Sequence, residues 1–581
     1  MKTLLGSLYQ VIYTMDKTHL IWFAVFALIA LTLGILHTRI KGDENKLKLW
    51  KKASFVPIFL ALIHIIIYVI AGKESIISFL PIYALALMTL IATLLGKRKI
   101  GYKVVTVITF LLSIACFIAL LFMLPSNTYN FSERSYTESF HLMAQAMDKT
   151  YILKEWKDVD FSALEKKYMP MVEEAENEKN LTKYYDAVKM FCNELHDGHV
   201  GVELDSNEET NNSIFKNNEY GLCMVHLDND EVIAVNTLPE VNQLGIEDGT
   251  VITKWDGKPI KAAAESIPDM GVPVKENAEF LSYIYLSAYG NETVDVSFIN
   301  KEGTEQTVSL QNIGENTTCI KTLTTYSHRP NAKSIEEALP WFNENFSTKM
   351  LTDNVGYLRL NSEMLSVQSI EPGDIFGMLT GNHKESKEIF RKGLTELKAQ
   401  GMEYLVIDLR GNTGGLDEIG CALASLLTND YYFGQGLGIR KNGKYIDVSP
   451  DHAVHGTGEF ADIKAVALTN YACVSAGDGT SLYLSKLPNV TLAGITNPNG
   501  SNQAVGGAIT LANDKIKVSY PVSLILNEND EPNIDVKADR ISRNPVEVHI
   551  PFDKNAALEI FHTGEDYELN WAINYLTQSN T

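Results

Sequence analysis

The chain has 581 residues, 45% hydrophobic and 21% charged, with a formal net charge of −21. That length exceeds the ~100–200 residues of a single domain, and the apolar content excludes wholesale disorder. The acidic balance repels phosphate backbones, which argues against a nucleic-acid partner.

The charge is unevenly spread. Residues 1–124 hold 13 Lys and Arg against 4 Asp and Glu, so the strong acidity belongs to the remainder. Within that first part lie four apolar runs, at about 19–37, 54–72, 76–96 and 104–124. Each has roughly the 20 residues a helix needs to cross a bilayer. The runs predict a four-helix transmembrane region over 1–127. Arg39, Lys41, Lys46, Lys48, Lys51 and Lys52 follow the first run, and Lys97, Arg98, Lys99 and Lys103 follow the third. Basic loops stay cytoplasmic, so the expectation is an integral membrane protein of the cell membrane, with the lipid bilayer as a partner and the acidic body extracytoplasmic. No Asp, Glu, Lys or Arg falls inside a run, which argues for an anchor over a transporter or channel.

Residues 128–213 read as helical. Phe140, Met143, Met147 and Tyr151 recur at helical spacing, as do Leu181, Tyr184, Val188 and Phe191. This part closes on Leu195-His196-Asp197-Gly198-His199, two histidines without the HExxH spacing of a zinc site. Residues 214–313 turn β-rich, with runs at 231–236, 250–255 and 293–298, and with Gly249 and Gly257 at turns. From 314 to 581 strands alternate with helices: 355–360, then a helix over 386–399, strand 404–409, a helix near 416–427, strand 465–468 and a helix through 481–487. That order predicts an α/β layer structure.

Two strand ends carry the chemistry. Tyr404-Leu405-Val406-Ile407-Asp408-Leu409-Arg410-Gly411-Asn412-Thr413-Gly414-Gly415 is a buried strand running into a glycine-rich turn. Backbone N–H groups there can face an anion unobstructed by Cβ atoms, and the P-loop pattern is absent. The run from Ala465 to Asp478 places Ser475 at a helix N-terminus, as a nucleophile or as a simple cap; position alone favours the cap. The six cysteines are scattered, form no CxxC, and suggest buried thiols with no metal site.

The stretch 245–259 resembles the PDZ-domain phrase that ends one strand and begins the next, which implies an insert that presents peptides by strand addition. Such an insert is expected to have its own small core and to be removable. In order, LHDGH, this insert, YLVIDLRGNTGG and NYACVSAGD resemble the S41 family of serine peptidases, the C-terminal-processing and tricorn-protease group, over about 137–581. The resemblance implies a helical cap and a crotonase/ClpP-like α/β core, hydrolysis of a polypeptide substrate through a serine, and no cofactor or metal.

One branch of the family uses a Ser–Lys dyad, with the lysine about 25 residues after the serine. Here Gly500 falls at that place and the nearest lysine is Lys486. The tricorn branch uses a histidine and a C-terminal acid. It maps the base to His199 and the acid to Asp539, with Glu531 as the alternative. The resemblance therefore implies Ser475, His199 and Asp539 as the catalytic set, with an oxyanion hole from Ala476 and Gly414 or Gly415. It departs from the tricorn pattern at Gly198, where a serine stands, and at Asp539, where a glutamate stands. A further branch keeps the fold as an inactive module for peptides or hydrophobic ligands, which is the alternative function.

Overall fold

The computed structural model describes residues 128–205, 213–215, 218–314, 317–327, 346–364, 384–433, 436–441, 444–447 and 453–578, with short stretches between 28 and 91. Residues 3–126 and 127–581 form separate compact units.

The first unit requires a correction. Among the described residues no helix is long and apolar enough to cross a membrane, so the transmembrane region expected at 19–37, 54–72, 76–96 and 104–124 is not carried by the structure. The helix Glu44–Ala53 has ten residues, ENKLKLWKKA, and is charged along its length. At 1.5 Å per residue it spans about 15 Å, half of a ~30 Å hydrocarbon layer. The four runs themselves lie for the most part outside the described residues. The integral-membrane placement, the bilayer as partner and the extracytoplasmic body all rested on those spans and fall with them.

The second unit is organised by a six-stranded sheet. Its strands are β1 (Phe346–Met350), β2 (Val355–Leu360), β3 (Tyr404–Asp408), β4 (Lys464–Leu468), β5 (Val490–Gly494) and β6 (Val548–His549). They lie in the order β6-β5-β4-β3-β2-β1, parallel throughout except for β1 against β2. The apolar run Leu405-Val406-Ile407 is continuous because both faces of β3 are covered. Leu405 and Ile407 pack with Leu358, Ala465, Ala467 and Leu492 against the helices Lys384–Ala399, α1 (Asp417–Leu426) and α2 (Ala476–Ser485). Val406, Val466 and Ala493 face the other way, into a core shared with Phe280, Ile284, Phe552 and Leu576.

That shared core bears on residues 219–313. A four-stranded antiparallel sheet (258–259, 252–255, 293–299, 305–311) and the hairpin Cys223–His226 with Val232–Val235 build a cluster around Met224, Trp255, Val296 and Phe298. Alternate residues of the hairpin, Cys223, Val225, Ile233 and Val235, join the core beneath the six-stranded sheet instead. Removing the segment would expose that core to water, so the expectation of a dispensable insert does not fit the packing. The five described cysteines, Cys192, Cys223, Cys319, Cys421 and Cys473, are buried, and none is in a disulfide.

The end of β3 is tied to the C-terminal segment by a buried guanidinium. Arg410, wholly buried, donates to both carboxylate oxygens of Asp408 (2.9 and 2.7 Å), to both of Asp566 (2.7 and 2.9 Å) and to Glu568 (3.2 Å). Arg359 adds a 2.6 Å bridge to Asp408. Arg410→Met is expected to cost about 3–5 kcal/mol, because it strands buried carboxylates without their cation. Urea unfolding of the variant checks this, and an unchanged midpoint would refute it.

Candidate active site

The turn between β4 and α2 holds Ser475 at φ 60° and ψ −131°, a conformation that a residue with a Cβ adopts only under constraint. The constraint comes from both sides. Val474 N–H donates to Asn412 O at 3.0 Å, and Ser475 N–H donates to Ser501 O at 2.8 Å. The Ser475 hydroxyl makes no capping bond to α2, so the simple capping role that position alone favoured is not the one observed.

The glycine-rich turn after β3 lies against this serine. A Cβ on Gly414 would come within 2.6 Å of Ser475 Cβ and 2.9 Å of Ala476 N, at a φ of +85° that already favours glycine. Gly414 N–H is spent on Asn412 Oδ1 at 2.8 Å. Among the described residues, neither Gly415 N–H nor Ala476 N–H donates to a protein acceptor. Unused backbone donors on the two turns that meet at Ser475 are what an oxyanion requires, and α2 adds its positive N-terminal end.

His199 lies on another element, and its turn is linked to that of Ser475 through Ser501. The helix Leu181–Asn193 precedes it, and the strand Gly201–Leu204 that follows pairs with Ile516–Leu526. The residue before it, Gly198, donates its N–H to Ser501 Oγ at 3.0 Å. Ser501 thus holds the Ser475 turn through its carbonyl and the His199 turn through its hydroxyl. A Cβ at 198 would sit 2.3 Å from Asn499 Oδ1, so a side chain there would require the Asn499 amide to shift. His199 N–H donates to Asp197 Oδ1 at 2.9 Å, while the ring Nδ1 is buried without a partner among the described residues. Burial pushes the imidazole below its ordinary value, against the upward pull of Asp197 and Gln503 beside it, which favours the neutral ring that can accept a proton. The other histidine of the motif, His196, pairs with Asp269 at 2.6 Å.

The two acids named from sequence lie elsewhere. Asp539 is exposed and closes a turn on itself, accepting from Ile541 N–H at 3.1 Å. Glu531 is exposed too. No hydrogen bond or ion pair among the described residues joins either to His199. Besides Asp197, whose Oδ1 accepts the His199 N–H, the carboxyl group linked to the histidine's surroundings is Asp535, which is wholly buried. It accepts from Gln503 Nε2, the same side chain that stands beside His199, and from Asn502 N–H at 3.2 Å. Its Oδ2 has no partner among the described residues. Burial, reinforced by the neighbouring Asp197 carboxylate, raises its pKa well above the usual range, while Lys157 opposes the shift. One sequence signal could have found it. Asp535 stands between Ile534 and Val536, and an acid inside an apolar triplet is seldom a surface residue.

The lysine alternative has no geometric support. Gly500 has φ +80°, and a Cβ there would meet Val274 at 2.7 Å. Lys486 lies at the far end of α2, about 16 Å along the helix from Ser475. Among the described residues no group of three or more His, Cys, Asp or Glu could hold a metal ion.

Residues 354–541 match Peptidase family S41. No curated protein matches the chain. A serine-to-alanine mutant of CPAF is similar in structure at TM-score 0.50 and 14% identity, over 75% of this chain and 95% of that one. Mature CPAF complexed with lactacystin gives 0.49 and 14%, over 77% and 97%. The photosystem II D1 C-terminal processing protease gives 0.33 and 16%, over 74% and 98%.

Proposed function

We propose that this chain, a serine-type peptidase by its S41 domain, cleaves polypeptides through Ser475 as nucleophile, His199 as base and Asp535 as the acid behind the base. The observation that carries the reading is the strained Ser475 turn, its hydroxyl uncommitted and packed against the glycine turn at Gly414. A strained backbone costs roughly 1–3 kcal/mol, and a cap would not require it.

His199 takes the hydroxyl proton as Ser475 Oγ attacks the carbonyl carbon. The oxyanion that forms is held by Ala476 N–H and Gly415 N–H; Gly414 serves the hole by shape, since its own N–H belongs to Asn412. His199 then returns the proton to the leaving amine, and water repeats the cycle on the acyl-enzyme. Asp535, acting through Gln503, stabilises the imidazolium. Support for Asp535 over Asp539 and Glu531 is its burial and its link to Gln503.

Residues 128–213, 214–313 and 314–581 are assigned as helical cap, PDZ-like segment and catalytic core. Gly249 and Gly257, both at positive φ, turn the chain where the PDZ phrase requires it, and the segment's strands would receive a substrate peptide. A fluorophosphonate probe tests the reading directly. Covalent labelling at Ser475 is expected, and a chain that stays unlabelled while folded would favour the inactive binding module.

A further inference from the structure

We infer that Glu363 is a positioning residue that locks the oxyanion loop to the helix carrying the nucleophile. The inference rests on the reading of Ser475 as nucleophile and of Gly415 and Ala476 as oxyanion donors.

Glu363 lies three residues beyond β2 and is wholly buried. Its main chain clamps the glycine loop. Glu363 N–H donates to Gly414 O at 3.0 Å, and Leu416 N–H donates to Glu363 O at 3.2 Å, a parallel bridge opposite Gly415. In that pattern the carbonyl before Gly415 and the N–H after it face Glu363, so the N–H of Gly415 itself points the other way. Only glycine tolerates the approach, since a Cβ at 415 would lie 2.6 Å from the Glu363 carbonyl carbon.

The side chain completes the lock. Glu363 Oε1 accepts from Asn412 Nδ2 at 3.0 Å, and Asn412 Oδ1 in turn accepts the Gly414 N–H. The same Oε1 lies 2.8 Å from Thr480 Oγ1, on the second turn of α2, and that hydroxyl is also 2.9 Å from Ala476 O. One carboxyl group therefore joins the loop that presents Gly415 to the helix that presents Ala476.

Folding alone gives no reason for a carboxyl group here. Its Oε2 is buried without a partner among the described residues, and burial, together with the nearby Asp417 carboxylate, raises its pKa to about 7. An apolar side chain of the same length would avoid that desolvation. Oxyanion donors act mainly in the transition state, so a lock on their spacing is felt in kcat.

The test uses Glu363→Met, which keeps length and removes the acceptors, Glu363→Gln, which keeps one acceptor, and Thr480→Val, which removes the helix side of the lock. Each is measured for kcat and KM on a peptide substrate and for the affinity of a peptide boronate, which mimics the tetrahedral intermediate. Glu363→Met is expected to lower kcat about 10–100-fold with KM nearly unchanged, and to weaken the boronate by a similar factor. Thr480→Val should move the same two quantities by a smaller factor, and Glu363→Gln should recover most of the loss. Folded Glu363→Met with wild-type kcat and boronate affinity overturns the lock. If Glu363→Met does not fold, Thr480→Val decides, and wild-type values there overturn it equally. Failure of the wild type to label with fluorophosphonate would sink the nucleophile assignment instead, so the two failures are told apart.

Discussion

Ser475→Ala and His199→Ala are each expected to abolish peptide hydrolysis, by roughly 10⁴–10⁶ in kcat, while leaving the folded state intact. The Ser475 hydroxyl makes no hydrogen bond among the described residues, and His199 Nδ1 is already unpartnered. Nucleophile and base act in one step, so the double variant should be scarcely worse than either single one. The pH profile adds a separate check. Burial lowers the His199 pKa from its ordinary ~6.5, so the acid limb of kcat/KM should have its midpoint below that value, with activity lost as pH falls through it. Retained activity in His199→Ala, combined with loss in Lys486→Ala, would transfer the base to the lysine and overturn the assignment.

The second large effect separates the acids. Asp535→Asn is expected to reduce kcat by roughly 10²–10⁴, because an amide cannot stabilise the imidazolium as a carboxylate does. Its shape is preserved, so folding should survive. Asp539→Asn is expected to stay within about twofold of wild type, because it removes only an exposed turn bond to Ile541 N–H. The two variants are compared under identical conditions by steady-state kinetics. Inactive Asp539→Asn beside active Asp535→Asn would restore the acid inferred from sequence spacing.

These expectations show which parts of the molecule local sequence specifies. β3 with its glycine turn and β4 with Ser475 were legible because each is one uninterrupted phrase. An apolar run of strand length, glycines where positive φ is needed, and a helix start lie within fifteen residues of one another. His199 was legible for a related reason, since its motif closes a helix and opens a strand. An apolar run, by contrast, states only that a segment favours leaving water and not which element it forms, and the four expected spans went beyond that.

The proposed acid, oxyanion donor and lock became visible only in the tertiary structure. Asp535 lies sixty positions after Ser475 in the sequence. Its burial depends on Gln503, on Asn502 and on Trp156, whose indole donates to the Asp535 carbonyl at 2.7 Å. None of these contacts is local, so no window of sequence contains the cause of the burial. Gly414 and Gly415 are indistinguishable as letters; a single hydrogen bond to Asn412 takes one N–H and leaves the other. Glu363 carries no motif at all. The sequence determined which backbone segments could present a nucleophile, a base and an anion hole, because those depend on local torsions and apolar periodicity. Which carboxyl groups serve them depended on desolvation and on contacts between distant segments, which exist only once the chain has packed.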